Sequence, residues 1–215
     1  MSLNNWTKSN YQRLNKAELI RQYVLPALGY LPDADDRTID ELILNARHTH
    51  AIKYQQMEIP GHFDDAYAWF SIDAIVHSYY YCPHTLAQRG TRIWKKCELI
   101  FFSSCLLKEE RRTDYLEILE PGNLISIKYA HLLALIEHDS KLEKKIRLVS
   151  ANNERYYHQR NLMLNKPAIE RVKQFEKENP LFIKVANKEI IASHVALTRQ
   201  GYNLQLRKIK HRGNR

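Results

Sequence analysis

The sequence is poor in the residues that build covalent links or cradle phosphates. Its three cysteines, Cys82, Cys97 and Cys105, are an odd number without C-x-x-C spacing. That speaks against a disulfide framework or an iron–sulfur cluster and reads as reduced thiols of a cytoplasmic protein. No Gly-rich phosphate loop, G-x-S-x-G elbow or H-E-x-x-H helix occurs, and no residue context suits haem, so no cofactor is expected. Long hydrophobic runs are missing too. The longest stretch free of Asp, Glu, Lys and Arg is Ala74–Gln88, 15 residues interrupted by Pro83, which is too short for a membrane-spanning helix. Met1–Asn10 shows no basic patch leading into an apolar run, so no signal peptide is expected. Neither an internal repeat nor a low-complexity linker is found. What is present, 44% hydrophobic and 27% charged residues over 215 positions, suits a soluble globular chain of one large or two small domains.

Charge is unevenly placed. The net charge is +9, yet positions 141–215 hold 18 Lys and Arg against 6 Asp and Glu, whereas the first 140 hold 15 against 18. A near-neutral body joined to a basic C-terminal third is the electrostatic footprint of a nucleic-acid binder. A solvated basic face without a partner would share that composition, so pattern has to decide.

The first 45 residues read as helical. Lys16–Leu28 carries Leu19, Ile20, Tyr23 and Val24 before Pro26 and Gly29, and Asp33–Asp36 offers N-caps ahead of Ile39, Leu42 and Ile43. From His48 the period shortens. The segments His48–Glu58, Trp69–Tyr81, Thr91–Lys95, Leu99–Phe102, Tyr115–Leu119 and Leu124–Ile127 are set off by turn signals at Pro60-Gly61, Pro83-His84, Arg89-Gly90 and Pro121-Gly122. Short strands so spaced suggest an antiparallel sandwich or barrel. After Lys128 the pattern is helical again. Tyr129–Glu137 is short and apolar, and Lys141–Leu164 runs without Gly or Pro. Within it Leu142, Ile146, Val149, Asn153, Tyr156, Arg160 and Met163 follow a 4,3 alternation, the spacing of a coiled-coil seam. Packing on its own domain would give the same stripe; the polar Asn153 and Arg160 favour a second chain, so Leu142, Ile146, Val149, Asn153 and Tyr156 are assigned to a homodimer interface. Pro167 opens a further helix with Ile169, Val172 and Phe175 on one face, and Asn179-Pro180 ends it.

The last segment is the most informative. Ala192 and Ala196 are small residues four apart, Ile191 and Val195 form an apolar face, and Thr198 can cap a second helix with Tyr202, Leu206 and Ile209 inside. A short helix, a tight turn and a capped helix make a helix-turn-helix. Its second helix presents Thr198, Arg199, Gln200, Asn203, Arg207 and Lys208, side-chain types that reach base edges and phosphates.

The order of these parts resembles the Crp/Fnr family of bacterial transcription regulators, from about Asp36 to Lys210. Trp69–Tyr80 (W-F-S-I-D-A-I-V-H-S-Y-Y) is similar to a strand pair of that family, with Ala74 where its glycine usually stands. Arg112–Leu119 and Leu124–Ile127 resemble the strands that close its roll, and Ile191–Gln200 resembles its helix-turn-helix with Ala196 in place of the turn glycine. The resemblance implies an α+β fold: an antiparallel, jelly-roll-like β-roll with N-terminal helices over 1–138, a dimerisation helix over 139–166, and a winged helix-turn-helix over 167–215. It implies a dimeric, sequence-specific DNA-binding regulator rather than an enzyme, with double-stranded DNA and RNA polymerase as partners, room for a small-molecule effector, and no membrane attachment.

Departures from the family matter as much. Counting back from Arg112-Thr113, Phe101 and Phe102 occupy the Gly-Glu places of the cyclic-nucleotide cassette, and two aromatics cannot accept a ribose hydrogen bond. Cyclic AMP is therefore not expected, and Phe101, Phe102, Arg112 and Thr113 are kept as an apolar effector pocket. Leu204 stands where a second DNA-contacting arginine is usual. Two alternatives stay open. His48-x-His50 with Glu58, and His62, His77 and His84 nearby, would suit a cupin-like metal enzyme, although the Glu is too distant and the expectation is no metal. A degenerate relative that no longer binds DNA is the other.

Overall fold

The computed structural model describes residues 15–34 and 36–213, so Met1–Asn10 lies outside the described residues. The segments Lys16–Leu19, Ile20–Val24 and Leu25–Leu28 run on as one helix, α1, entered through an Asn15 capping box. Its middle turn is π-helical, which accommodates Pro26 by widening the turn that its ring would otherwise strike. Gly29 ends it at φ +88°, a left-handed conformation that glycine adopts without penalty. Asp36 accepts from Thr38 N–H at 2.9 Å and starts α2 (Arg37–Asn45).

Eight strands follow: β1 (Arg47–Ala51), β2 (Gln56–Glu58), β3 (Tyr67–Ser71), β4 (Ile75–Tyr81), β5 (Gln88–Trp94), β6 (Glu98–Ile100), β7 (Tyr115–Glu120) and β8 (Gly122–Lys128), with α3 (Ser103–Lys108) between β6 and β7. They form two antiparallel four-stranded sheets, β1-β8-β3-β6 and β2-β7-β4-β5. Two of the six expected segments, His48–Glu58 and Trp69–Tyr81, each split into a pair of strands. Arg89-Gly90, read as a turn, lies inside β5 instead; the chain turns between Cys82 and Ala87, whose backbones pair.

Strand alternation sorts the side chains into three cores. Trp69, Val76, Trp94, Ile118 and Leu124 point between the sheets. Their neighbours Phe70, Ile125 and Ile127 point outward and are covered by α1, α2 and α4 (Tyr129–His138). On the second sheet Ile75, Ile93 and Leu119 point outward into a third core, made with the C-terminal helices.

The long helix α5 (Ser140–Leu164) starts on Asp139, which accepts from Lys141 and Leu142 N–H groups. Here the expected dimer seam is corrected. Leu142 and Ile146 are fully buried in the core under α1, Val149 packs against that core, and Asn153 and Tyr156 bond to β5, so all five residues face their own chain. The physical reason lies in the two polar positions. Asn153 and Arg160 find their partners within the chain, in Arg92 and in the Gly90 carbonyl, and a stripe thus satisfied needs no second copy. After α5 come α6 (Ala168–Glu178), α7 (Pro180–Val185), α8 (Lys188–His194) and α9 (Arg199–Gly213). The wing is a second correction: among the described residues no strand follows β8, because the positions after it carry helical periodicity and α9 runs on to Gly213.

Ile146→Ala removes buried methyl groups from an intrachain core and should cost ~2–5 kcal/mol. Urea unfolding should register that loss equally at low and high protein concentration; a loss that grows on dilution would return Ile146 to an intersubunit seam.

Candidate nucleic-acid interface

Asn187 caps α8 by accepting from Glu189 and Ile190 N–H groups at 3.0 and 2.9 Å. Its apolar side, Ile190, Ile191 and Ala192, is buried together with Val195. The turn closes through Leu197 N–H to the Ala192 carbonyl at 3.0 Å, and Ala196 sits there at φ +54°. Ala196 therefore carries the left-handed turn that the resemblance assigns to glycine, at the steric cost of a Cβ. Thr198 Oγ1 accepts from Gly201 N–H at 3.0 Å and caps α9. Tyr202 is buried against α6 and donates to Glu176 Oε1 at 2.6 Å, which fixes the rotation of α9. With that side inward, Thr198, Arg199, Gln200, Arg207 and Lys208 are exposed and Asn203 is half-buried. Arg207, Lys210 and Asn203 border a groove of about 300 Å³ with Lys188 of α8. Arg199 and Gln200 lie in the first turn, where a helix N-terminus also favours an anion. The exposed set can hydrogen-bond base edges near Thr198 and neutralise phosphates further along.

These helices do not hang free of the roll. His194, the last residue of α8, abuts Gly90 of β5 so closely that a Cβ on Gly90 would sit 2.4 Å from the imidazole. Glycine is required there for close approach. His194 Nε2 lies 3.2 Å from His77 Nδ1, and His77 Nε2 lies 3.0 Å from Glu117 Oε2. Phe175 stacks on His194, and Phe182 meets its edge. Burial lowers the pKa of both imidazoles; for His194 the neighbouring His77 and Arg160 add to the effect, whereas Glu117 partly offsets it for His77. Burial thus disfavours the protonated form of both rings, and in their neutral forms one donates and the other accepts across the shared contact.

The four residues assigned to an effector pocket stand in four different settings. Phe101 is buried in the core beneath α1, and Phe102 precedes α3 with its N–H on Tyr129 Oη at 2.9 Å. Thr113 is exposed and bonds Asp114, whereas Arg112 is buried. Arg112 Nη1 lies 2.8 Å from Glu58 Oε2, and its Nε donates to the Ile59 carbonyl at 2.7 Å. Glu58 in turn accepts from Trp69 Nε1 at 2.7 Å. The guanidinium that would neutralise a cyclic phosphate is already paired, so the quartet is corrected to a core residue, a helix cap, an ion pair and a surface hydroxyl. Of the histidines, His48 and His50 both lie against Asn123 Oδ1, at 3.0 and 3.3 Å. Among the described residues no group of three His, Cys, Asp or Glu converges to hold a metal, and no helix is long and apolar enough to cross a membrane. Sequence reasoning missed the His77–His194 contact and Arg92; residues 117 positions apart carry no local signal of pairing.

An antiparallel β-roll, a long helix laid across it and a helix-turn-helix docked at its side make a fold shared with solved structures of other proteins. Three solved structures match it: a regulator assigned to the crp/fnr family from Eubacterium rectale (TM-score 0.70, 13% identity, 84% of this chain and 86% of that one); CLP, the c-di-GMP responsive global regulator of Xanthomonas campestris (0.68, 13%, 83% and 93%); and FixK2 of Bradyrhizobium japonicum (0.64, 16%, 78% and 86%). At such identities the likeness is one of fold. No family model and no curated protein matches in sequence.

Stability should depend on pH through the imidazole pair. An unfolded histidine takes up a proton near pH 6.5, whereas buried His194 stays neutral well below that value, so the unfolded state binds more protons and stability falls as pH drops below about 6.5. Denaturant unfolding between about pH 5 and pH 8 should show this slope, up to about one proton for His194, and His194→Gln should flatten it.

Proposed function

We propose that the protein is a dimeric transcription regulator of the Crp/Fnr type, acting on double-stranded DNA in the cytoplasm, not an enzyme, and not responsive to cyclic AMP. The observation that carries this reading is the capped helix α9, which exposes Arg199, Gln200, Arg207 and Lys208 on a basic C-terminal unit, within a fold shared with regulators. In this reading residues 1–138 are the sensor, 139–166 join the subunits and 167–215 read DNA. Arg199, Gln200 and Asn203 address bases from a major groove, Thr198 caps the helix, and Arg207 and Lys208 meet phosphates. Contacts to RNA polymerase follow from the same reading.

With the inward stripe of α5 occupied, the dimer face moves to its outer side. Leu148 and Leu162 are 55% and 53% exposed, and Leu148, Asn152, Arg155, Gln159 and Leu162 repeat the 4,3 spacing on exposed positions. Two such faces pack as a seam. A second reading, a helix-turn-helix turned to a protein partner, is favoured by one observation: Leu204 is 50% exposed midway along α9, where a DNA reader gains from charge.

In sedimentation the protein should run as a dimer, twice the 25.5 kDa chain. Leu148→Asp with Leu162→Asp should yield a folded monomer, and a dimer that survives both changes rejects this seam.

Selection from a genomic library should enrich a palindromic site with half-sites about 34 Å apart. In mobility-shift assays Arg199→Ala should cost about 1–3 kcal/mol on that site and relax one position. Lys208→Ala should weaken all sequences alike and lower the salt slope by about one. Failure to enrich any sequence would favour the protein-partner reading.

A further inference from the structure

Between β5, α5, α6 and the end of α8 lies a cavity of about 730 Å³, within the range of small-molecule sites. Arg92 and Arg160 form one wall, and neither is matched by a close carboxylate. Arg92 is only 8% exposed. Its guanidinium is stacked between the rings of Trp94 and Tyr156, at 3.8 and 4.8 Å, and Nη1 donates to Asn153 Oδ1 at 2.5 Å. The nearest carboxylate, on half-buried Glu98, reaches only to 4.0 Å. Arg160 donates to the Gly90 carbonyl, and among the described residues no carboxylate lies within ion-pairing distance of it. The Nε–H groups of both arginines are buried without an acceptor. Burial pulls both below the ordinary guanidinium range, but an arginine does not surrender its proton, so the charge stays and wants a counterion.

The rest of the lining points the same way. Lys95 and Lys166 add positive charge, against Glu98 and Glu178 alone. Tyr156, Phe175 and Met163 supply an apolar and aromatic floor. We propose that this cavity binds a small organic anion, a phosphate or carboxylate head on an apolar or aromatic body, with Arg92 and Arg160 holding the head. The site lies where the roll, the long helix and the reading unit meet, and His194 and Phe175 are part of its wall. A ligand there bears on how α8 sits against β5 and so on the presentation of α9; this second part rests on the DNA-reading function proposed above.

Calorimetry on the full chain with 1-naphthyl phosphate, 1-naphthoate and neutral 1-naphthol tests the site. At least one anion should bind about tenfold tighter than naphthol, and which of the two does so separates phosphate from carboxylate. Arg92→Gln should weaken that anion by a similar factor and leave naphthol unaffected. Should that variant not fold, Arg160→Gln, at a half-buried position, carries the comparison, with its melting temperature as control. Equal affinity for the neutral compound, no anion binding up to about 1 mM, or full affinity in a folded arginine variant overturns the site. The saturated protein should also change its DNA affinity by about fivefold or more. An anion that binds without such a change removes the coupling but leaves the site, and absence of DNA binding in either state counts against the DNA reading alone.

Discussion

The attachment of α5 to β5 is the constraint on which the C-terminal half depends. Arg92 cannot be buried beside Trp94 unless something takes its N–H groups, and Asn153, one turn before Tyr156, takes one of them. Tyr156 Oη accepts the Ile93 N–H at 3.3 Å, and Arg160 reaches the Gly90 carbonyl. Three successive residues of one helix stripe thus engage Arg92, Ile93 and Gly90 of one strand. Losing either side of Arg92–Asn153 would strand a buried polar group, which is more costly than the bond is favourable. The orientation of α5 follows, and with it the direction in which the chain leaves for α6.

What α5 positions, the third core holds. Ile75, Ile93 and Leu119 leave an apolar strip on the outer face of the second sheet, and Val172, Phe175, Phe182 and Ile191 cover it. The cover is close enough that Gly90 has no room for a side chain. A polar thread runs through it from Glu117 by His77 to His194. Such a thread inside an aromatic cage is satisfied only at one relative placement of its two ends. The helix-turn-helix is consequently docked on the surface of the roll in this structure.

Several parts of the candidate site were legible because their determinants are local. Thr198 caps because a hydroxyl there meets the N–H of Gly201 three residues on, and Tyr202 faces inward because the stripe Tyr202, Leu206, Ile209 has helical spacing. The exposed set on α9 then follows by subtraction. Strand segments were legible from β-branched and aromatic runs, but their ends were not: Gly90 looks like a turn signal and serves as a gap for His194. Arg112 looked available for a phosphate, because the Glu58 that pairs with it stands 54 positions earlier. The five assigned dimer residues failed for the same reason, since a periodic stripe says that a helix face is covered and not by what.

The sequence by itself therefore determined what depends on neighbours within about a turn or a strand: the helices and their caps, the roll of short strands, and the exposed basic face of the last helix. Only the tertiary structure decided which polar groups neutralise one another. It placed Glu58 on Arg112, Asn153 on Arg92 and His77 on His194, left Arg160 without a carboxylate among the described residues, and turned the outer face of α5 to solvent. Pairing of buried polar groups depends on distances of about 3 Å between residues far apart in the chain, and no periodicity in sequence encodes those distances.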